Sequence, residues 1–274
     1  MNSKIKIELG SVQKTLLLPL WGRAVETRKE NPMLVDNTAA EIIDKIDYDF
    51  STITANTSFV TQLAWIARSI HIDDTVKKFL SNYPDAAVVN IGCGLDTTYE
   101  RVNNGKLFWY DLDLPDVISL RKIFMTETVN RRFISSSALN EDWINQIKSK
   151  DRVFLIAAGV IYYFDEEQAK KFFNMIADNF IYAEMIFDAV TPLGVKAANQ
   201  SVIKETGMDA SAVLKWGIKS AGVLETWNPK IKLIKEYPLF KGVKKGYSFK
   251  EKYGMFLSDL LKIMYMVHLE FEKR

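Results

Sequence analysis

The chain has 274 residues, with 36 basic and 34 acidic side chains and a net charge of +2, a balance that offers no basic patch for nucleic acid. Its one cysteine excludes an internal disulfide framework, and its two histidines lie too far apart in sequence to suggest a His/Cys metal site, so no metal is expected. The apolar run from Leu16 to Trp21 is short, is broken by Pro19 and leads to no small-x-small cleavage site, and no stretch reaches the roughly 20 apolar residues of a bilayer span, so a cytoplasmic protein without a membrane partner is expected.

Before residue 85 the signals are helical. "DNTAAEIIDKID" (36–47) places Ala39, Ile42, Ile43 and Ile46 on one helical face. "TSFVTQLAWIARSIHIDDTVKKFLSNYP" reads as two helices broken near His71, with Asp73 or Asp74 capping the second and Pro84 ending it. From there the pattern changes to short β-branched runs, "AAVVNIG", "KLFWYDLD", "RRFISSS", "DRVFLIAAG" and "NFIYAEMIFDAV", separated by helix-like stretches such as "DEEQAKKFFNMIA". Strands alternating with helices imply right-handed crossovers and a parallel sheet covered on both faces. "ASAVLKWGIKSAGV" (210–223) looks helical. The last two runs, "IKLIKEYPLF" and "LLKIMYMVHLEFE", have few residues between them and can pair antiparallel at an edge. No repeat, low-complexity tract or linker divides the chain. The expected architecture is a single α/β domain over 1–274 with a Rossmann-like, seven-stranded mixed sheet, mostly parallel with an antiparallel edge. Residues 1–84 form a helical N-terminal cap, 85–190 the cofactor-binding core, 191–222 a lid or insertion and 223–274 the C-terminal strands.

The chemistry concentrates in "VVNIGCGLDTTYERV" (88–102). Ligands of open α/β sheets sit beyond the carboxyl ends of the strands, and Gly92 and Gly94 suit a sharp turn lying against a ligand. Asp111 and Asp113 end the next strand about 20 residues later, where an acid accepts hydrogen bonds from the hydroxyls of an adenosine ribose. Nicotinamide dinucleotides and S-adenosylmethionine share that contact. Asp96 and Thr97 discriminate between them: Thr97 stands where a dinucleotide fingerprint has its third glycine, and a carboxylate at Asp96 repels a pyrophosphate but tolerates a sulfonium and an ammonium. The alternative reading of Asp96 is that it is only an N-cap or first-turn residue, though its charge still favours S-adenosylmethionine. Cys93 is the small residue between glycines, with no histidine beside it in sequence to activate it.

Five blocks in order resemble the leucine carboxyl methyltransferase family, class I S-adenosylmethionine-dependent methyltransferases, and especially its bacterial branch of polyketide-type O-methyltransferases. They are the N-terminal segment with Thr15, Pro19, Leu20, Arg23 and Ala24; "AWIARSIHIDDTVKKFL"; the glycine turn; "FWYDLDLPDVISLRK"; and "LIAAGVIYYFDEEQAKKFF". The resemblance implies that S-adenosyl-L-methionine is the cofactor. It implies that Arg68 holds the methionine carboxylate, that Gly92, Cys93 and Gly94 form the cofactor turn with Asp96, and that Asp113 holds the ribose, with Asp111 and Leu114 beside it. It also places Leu139 near the adenine, and Ala158 and Gly159 near the methionine end. Two positions depart from the family pattern: Ala138 replaces an aspartate facing the adenine amino group, and Ala158 replaces the glutamate of "AEG". Asn140 or Glu141 can serve the adenine instead, and backbone carbonyls can serve the ammonium.

The implied reaction is transfer of a methyl group by in-line displacement to a carboxylate or hydroxyl of a small-molecule acceptor. His71, at a helix break, and His268, in a late strand, read as structural. With no evident base, a carboxylate is the favoured acceptor. The catalytic candidates are Tyr162, Tyr163 and Arg23. Trp21, Trp216 and Trp227 either line an acceptor pocket or pack. Two other readings remain: a cofactor-binding protein without catalysis, motivated by Ala138 and Ala158, and a nicotinamide-dependent oxidoreductase, disfavoured by Asp96 and Thr97. The sequence does not disclose the oligomeric state.

Overall fold

The computed structural model describes residues 4–6, 11–51, 57–149, 151–205, 213–243 and 247–272. Seven strands form the main sheet: β1 Ala87–Ile91, β2 Phe108–Asp113, β3 Arg131–Ser135, β4 Val153–Ala157, β5 Tyr182–Val190, β6 Ile231–Pro238 and β7 Met264–Glu272. Their order is β3-β2-β1-β4-β5-β7-β6. The first five run parallel, while β7 is antiparallel to both β5 and β6. The expected sheet, with its antiparallel edge, is therefore present. Every residue of β1 and β4 is buried, as strands covered on both faces require. Val89, Ile91, Leu155 and Ala157 enter one core with Phe172 and Phe173, and Val88, Phe154 and Ile156 enter the opposite one with Ala67, Val76 and Phe79.

Helices α1 (Ser11–Thr27), α2 (Asn37–Lys45) and α3 (Phe59–Asn82) precede the sheet. Asp36 caps α2 by accepting from Ala39 N–H, and Ser58 caps α3 by accepting from Thr61 N–H. The α3 helix runs through all 24 residues without the break expected near His71. The polar residues there meet partners on neighbouring elements: His71 Nε2 donates to Leu239 O at 2.8 Å, and Asp73 takes two bonds from the Arg101 guanidinium at 2.7 and 3.0 Å. Asp73 is thus a tertiary contact and caps nothing, because α3 is enclosed on more than one side.

Short α4 (Thr98–Val102) follows β1, α5 (Pro115–Phe124) follows β2 and α6 (Glu166–Asn179) follows β4. A capping box between Asp165 and Gln168 starts α6. In the region expected to be a lid, α7 spans Pro192–Glu205. The helix expected over 210–223 is not found: 213–218 carry no regular structure, a 3₁₀ turn spans Ala221–Thr226, and the start of that stretch lies outside the described residues. Backbone bonds to other elements hold this segment: Lys215 N–H and Trp216 N–H donate to Tyr162 O, and Ile218 N–H donates to Val190 O. Between β6 and β7, where only a short connection was expected, α8 (Phe249–Leu260) opens with a capping box of Ser248 and Glu251. No helix among the described residues is long and apolar enough to cross a membrane.

Candidate active site

Strand β1 ends in a turn with Gly92 and Gly94 at φ +62° and +46°, a region side chains with a Cβ avoid. A Cβ on Gly92 would also lie 2.4 Å from the Val160 side chain, and one on Gly94 would lie 2.9 Å from Leu16. The β1 turn therefore abuts the loop after β4 on one side and the N-terminal helix on the other. Cys93, between the glycines, is buried, and that burial pushes its thiol well up despite the nearby Arg121. It is no nucleophile.

Asp113 closes the turn from β2. Its Oδ2 accepts from Gly94 N–H at 2.7 Å and its Oδ1 from Leu114 N–H at 2.8 Å. Each oxygen keeps a second lone pair for an incoming hydroxyl. Burial raises its carboxyl above the ordinary value, and the two amide bonds oppose that shift. Leu114 itself is exposed. Asp111 sits differently. It is 0% exposed, accepts from Trp109 Nε1 at 2.8 Å and from Arg131 Nε at 2.9 Å, and lies 3.0 Å from Arg121. Its oxygens are committed to the interior.

Asp96 accepts from Thr98 N–H at 3.0 Å and Asn90 Nδ2 at 3.1 Å, with Arg23 at 3.8 Å. Burial works to raise its carboxyl, but Arg23, Arg101 and the Thr98 bonds outweigh it and hold the group well below the usual carboxylate range. Asp96 precedes the N-cap residue Thr97, outside the first turn expected for it, and stands there as a fixed negative charge bonded to the first helical N–H. Arg23 is 4% exposed, and its Nε donates to Asp36 at 2.8 Å. Asp36 also takes bonds from Arg101 Nη1 and from the Thr97 hydroxyl. Thr97, which replaced the third glycine, thus joins the cap to the turn.

At the end of β4, Gly159 has φ +75°, and a Cβ there would lie 3.0 Å from Arg68 Nη1 and 3.2 Å from the Tyr162 hydroxyl. The space this glycine leaves faces a buried cation and a phenol, which fits a cofactor carboxylate. Arg68 Nη1 donates to Asp188 Oδ2 at 2.8 Å, and Gly159 N–H donates to Asp188 Oδ1 at 2.7 Å. Burial disfavours the charge on Arg68, yet Asp188 and Tyr162 more than compensate and keep it protonated. Burial pushes the Tyr162 phenol well up, with Asp188 adding and Arg68 opposing, and raises Tyr163 as well. Ala158 is half-buried beside them.

Leu139, Asn140 and Glu141 line a crevice with Lys171, Asn174 and Met175. Asn140 accepts from Asp142 N–H, and Glu141 accepts from Asn179 Nδ2, so both substitutes for the missing adenine acid are engaged locally. Ala138 O accepts from Trp143 Nε1. Trp21 packs into the cap core, and the rings of Trp216 and Trp227 lie 5.6 Å apart. His268 Nε2 lies 2.7 Å from Glu184, and burial lowers the His71 pKa. Sequence reasoning missed Asp188 and Arg121. Their partners are remote in the chain, and no local spacing signals them.

The family model for leucine carboxyl methyltransferase matches residues 17–177, which include most of the cap, Arg68, the glycine turn, Asp113 and the loop after β4. The chain belongs to the leucine carboxyl methyltransferase family. Tetracenomycin polyketide synthesis O-methyltransferase TcmP of Streptomyces glaucescens is 32% identical over 235 residues, 85% of each chain. The S-adenosyl-L-methionine-dependent methyltransferase dpfgK of Gibberella zeae is 26% identical over 249 residues, 84% of this chain and 83% of its own. A DUF574 family protein from Streptomyces avermitilis shares the fold at a TM-score of 0.59 and 10% identity, covering 94% of this chain and 97% of its own. The plantazolicin methyltransferase BamL, solved with a triazolic desmethylPZN analog and SAH, shares it at 0.51 and 12% identity, covering 96% and 98%. As a member of the leucine carboxyl methyltransferase family the chain is a methyltransferase, with S-adenosylmethionine as its cofactor.

Proposed function

We propose that the protein transfers a methyl group from S-adenosylmethionine to a carboxylate oxygen of a small molecule, with Asp113 holding the ribose and Arg68 the methionine carboxylate. Tyr162 carries the choice of a carboxylate. Its phenol is buried beside Arg68 and Gly159, its oxygen accepts from the Arg68 guanidinium, and its raised pKa keeps it protonated at neutral pH, so it takes no proton. Neither histidine is placed as a base: His71 gives Nε2 to Leu239 O against the Tyr237 ring, and His268 meets Glu184 near the start of β5, at the end of that strand opposite Asp188. An acceptor that arrives ionised needs none.

Bound S-adenosylmethionine supplies a methyl group already activated on a sulfonium. The chain's part is placement. Gly92 and Gly94 bring the backbone close, Asp113 orients the sugar, and Asp188 aims Arg68. Tyr162 gives its hydroxyl to that end of the site while its carbonyl anchors residues 215 and 216, closing one wall against water. A small-molecule acceptor is also supported by the polyketide relative and by the azole analog bound to BamL.

The test is incubation with methyl-labelled cofactor and matched panels of carboxylic acids and phenols. A methyl ester releases its label as methanol in mild alkali, and an aryl ether retains it. Label that survives alkali overturns the carboxylate assignment. Cofactor binding with no transfer to any acceptor favours the non-catalytic reading.

A further inference from the structure

The Arg121 guanidinium lies beneath the glycine turn, 0% exposed. It donates to Gly94 O at 2.8 Å, to Asp96 O at 2.8 Å and to Cys93 O at 3.4 Å. Asp111, 3.0 Å away, supplies its counter-charge and shares it with Arg131. Its Nε finds no hydrogen-bond partner, so the fork is oriented toward the turn at the cost of one of its own donors. A trans peptide points its C=O and N–H in opposite directions. The Cys93–Gly94 peptide turns its oxygen to Asp96 N–H at 2.8 Å, with Arg121 as a longer second donor, and its N–H outward to Asp113 Oδ2 at 2.7 Å, while Arg121 holds the carbonyls of Gly94 and Asp96 on either side of that turn.

We propose that Arg121 is a positioning residue for the cofactor: by holding the turn carbonyls it fixes the Gly94 N–H, which in turn sets the Asp113 carboxylate at the ribose. The inference rests on the reading of Asp113 as the ribose acid. A planar fork spans several carbonyls at once, and a lysine at the same place keeps the charge but offers a single point of donation. Asp111 belongs to this scaffold as the anion that keeps Arg121 in place, and it touches no ligand.

The test is a double-mutant cycle on the affinity for S-adenosylhomocysteine, with adenosine and thermal unfolding measured in parallel. Arg121→Lys is expected to raise Kd for both ligands by the same factor, about tenfold, because the damage lies at the shared ribose end. Adding Arg121→Lys to Asp113→Asn should worsen binding by less than about threefold, since a displaced carboxylate and a missing one are the same loss. Factors that multiply, or an Arg121→Lys protein that binds as wild type does, overturn the inference. Asp111→Asn keeps the guanidinium and removes a counter-charge, and must show the same coupling to Asp113 if Arg121→Lys does not fold. Asp113→Asn with unchanged affinity instead sinks the ribose assignment beneath the inference.

Discussion

Asp188 joins two otherwise separate parts of the site, with one carboxylate oxygen 2.8 Å from Arg68 Nη1 and the other accepting from Gly159 N–H at 2.7 Å. One buried anion therefore fixes both Arg68, the cation proposed for the methionine carboxylate, and the loop it faces. Asp188→Asn leaves the Arg68 charge buried without its partner, a change that costs about 3–5 kcal/mol in comparable buried pairs. S-adenosylhomocysteine should bind more weakly while adenosine, which lacks the amino-acid end, binds as before. Calorimetry with both ligands checks this, and an equal loss for adenosine would place Asp188 elsewhere in the mechanism.

The two acids of β2 should separate cleanly. Asp113→Ala removes a half-exposed carboxylate and is expected to weaken cofactor binding by tenfold or more with a small shift in melting temperature. Asp111→Ala leaves Arg121 and Arg131 without their common anion and should cost several kcal/mol of stability first. Unfolding curves beside binding isotherms distinguish the two outcomes.

Gly92→Ala combines a positive φ with a Cβ 2.4 Å from Val160. Strain of this kind is worth about 1–3 kcal/mol, and the collision adds to it. Binding should fall sharply. Val160→Ala on the same background should recover only part of it, because the collision is relieved and the φ strain is not.

His71 is kept neutral by its buried place against Leu239 O, with its pKa below the ordinary 6.5. The folded form binds fewer protons than the unfolded one, so its contribution is complete above 6.5 and is lost as the pH falls from there through the folded value. Wild type should lose more melting temperature between pH 7 and pH 5 than His71→Gln does. Parallel slopes for the two proteins would contradict this.

Tyr162→Phe removes a donor and no base. Turnover of a carboxylate acceptor should stay independent of pH between about 6 and 9 in both proteins, with the variant's loss appearing mainly in KM for the cofactor. A loss confined to kcat, together with an altered pH profile, would assign the phenol a proton-transfer role.

The sheet was legible because β1 and β4 are β-branched runs buried on both faces, and the turn was legible because its glycines sit at a strand end. Helix α8 was missed for the opposite reason. Phe249, Tyr253, Phe256 and Leu260 face outward, and only Met255 is buried, so the core-facing stripe that marks a helix is lacking. Its "SFKE" capping signature was the available clue. The break expected in α3 failed because His71 and Asp73 answer partners 168 and 28 residues away. Arg68 could be matched by motif, but Asp188 lies 120 residues further on, and nothing near either residue in sequence announces the pair.

The ion network of Arg23, Asp36, Thr97 and Arg101 makes the N-terminal helices inseparable from the nucleotide fold. Leu16 seals the turn at Gly94, and Asp36, from the segment before α2, neutralises arginines on both sides of the junction. A cap exchanged with that of another methyltransferase, for instance to change which acceptor is admitted, would bring its own charges to this seam. Such a chimera has to carry all four residues together, or it will bury an unmatched arginine beside the glycine turn.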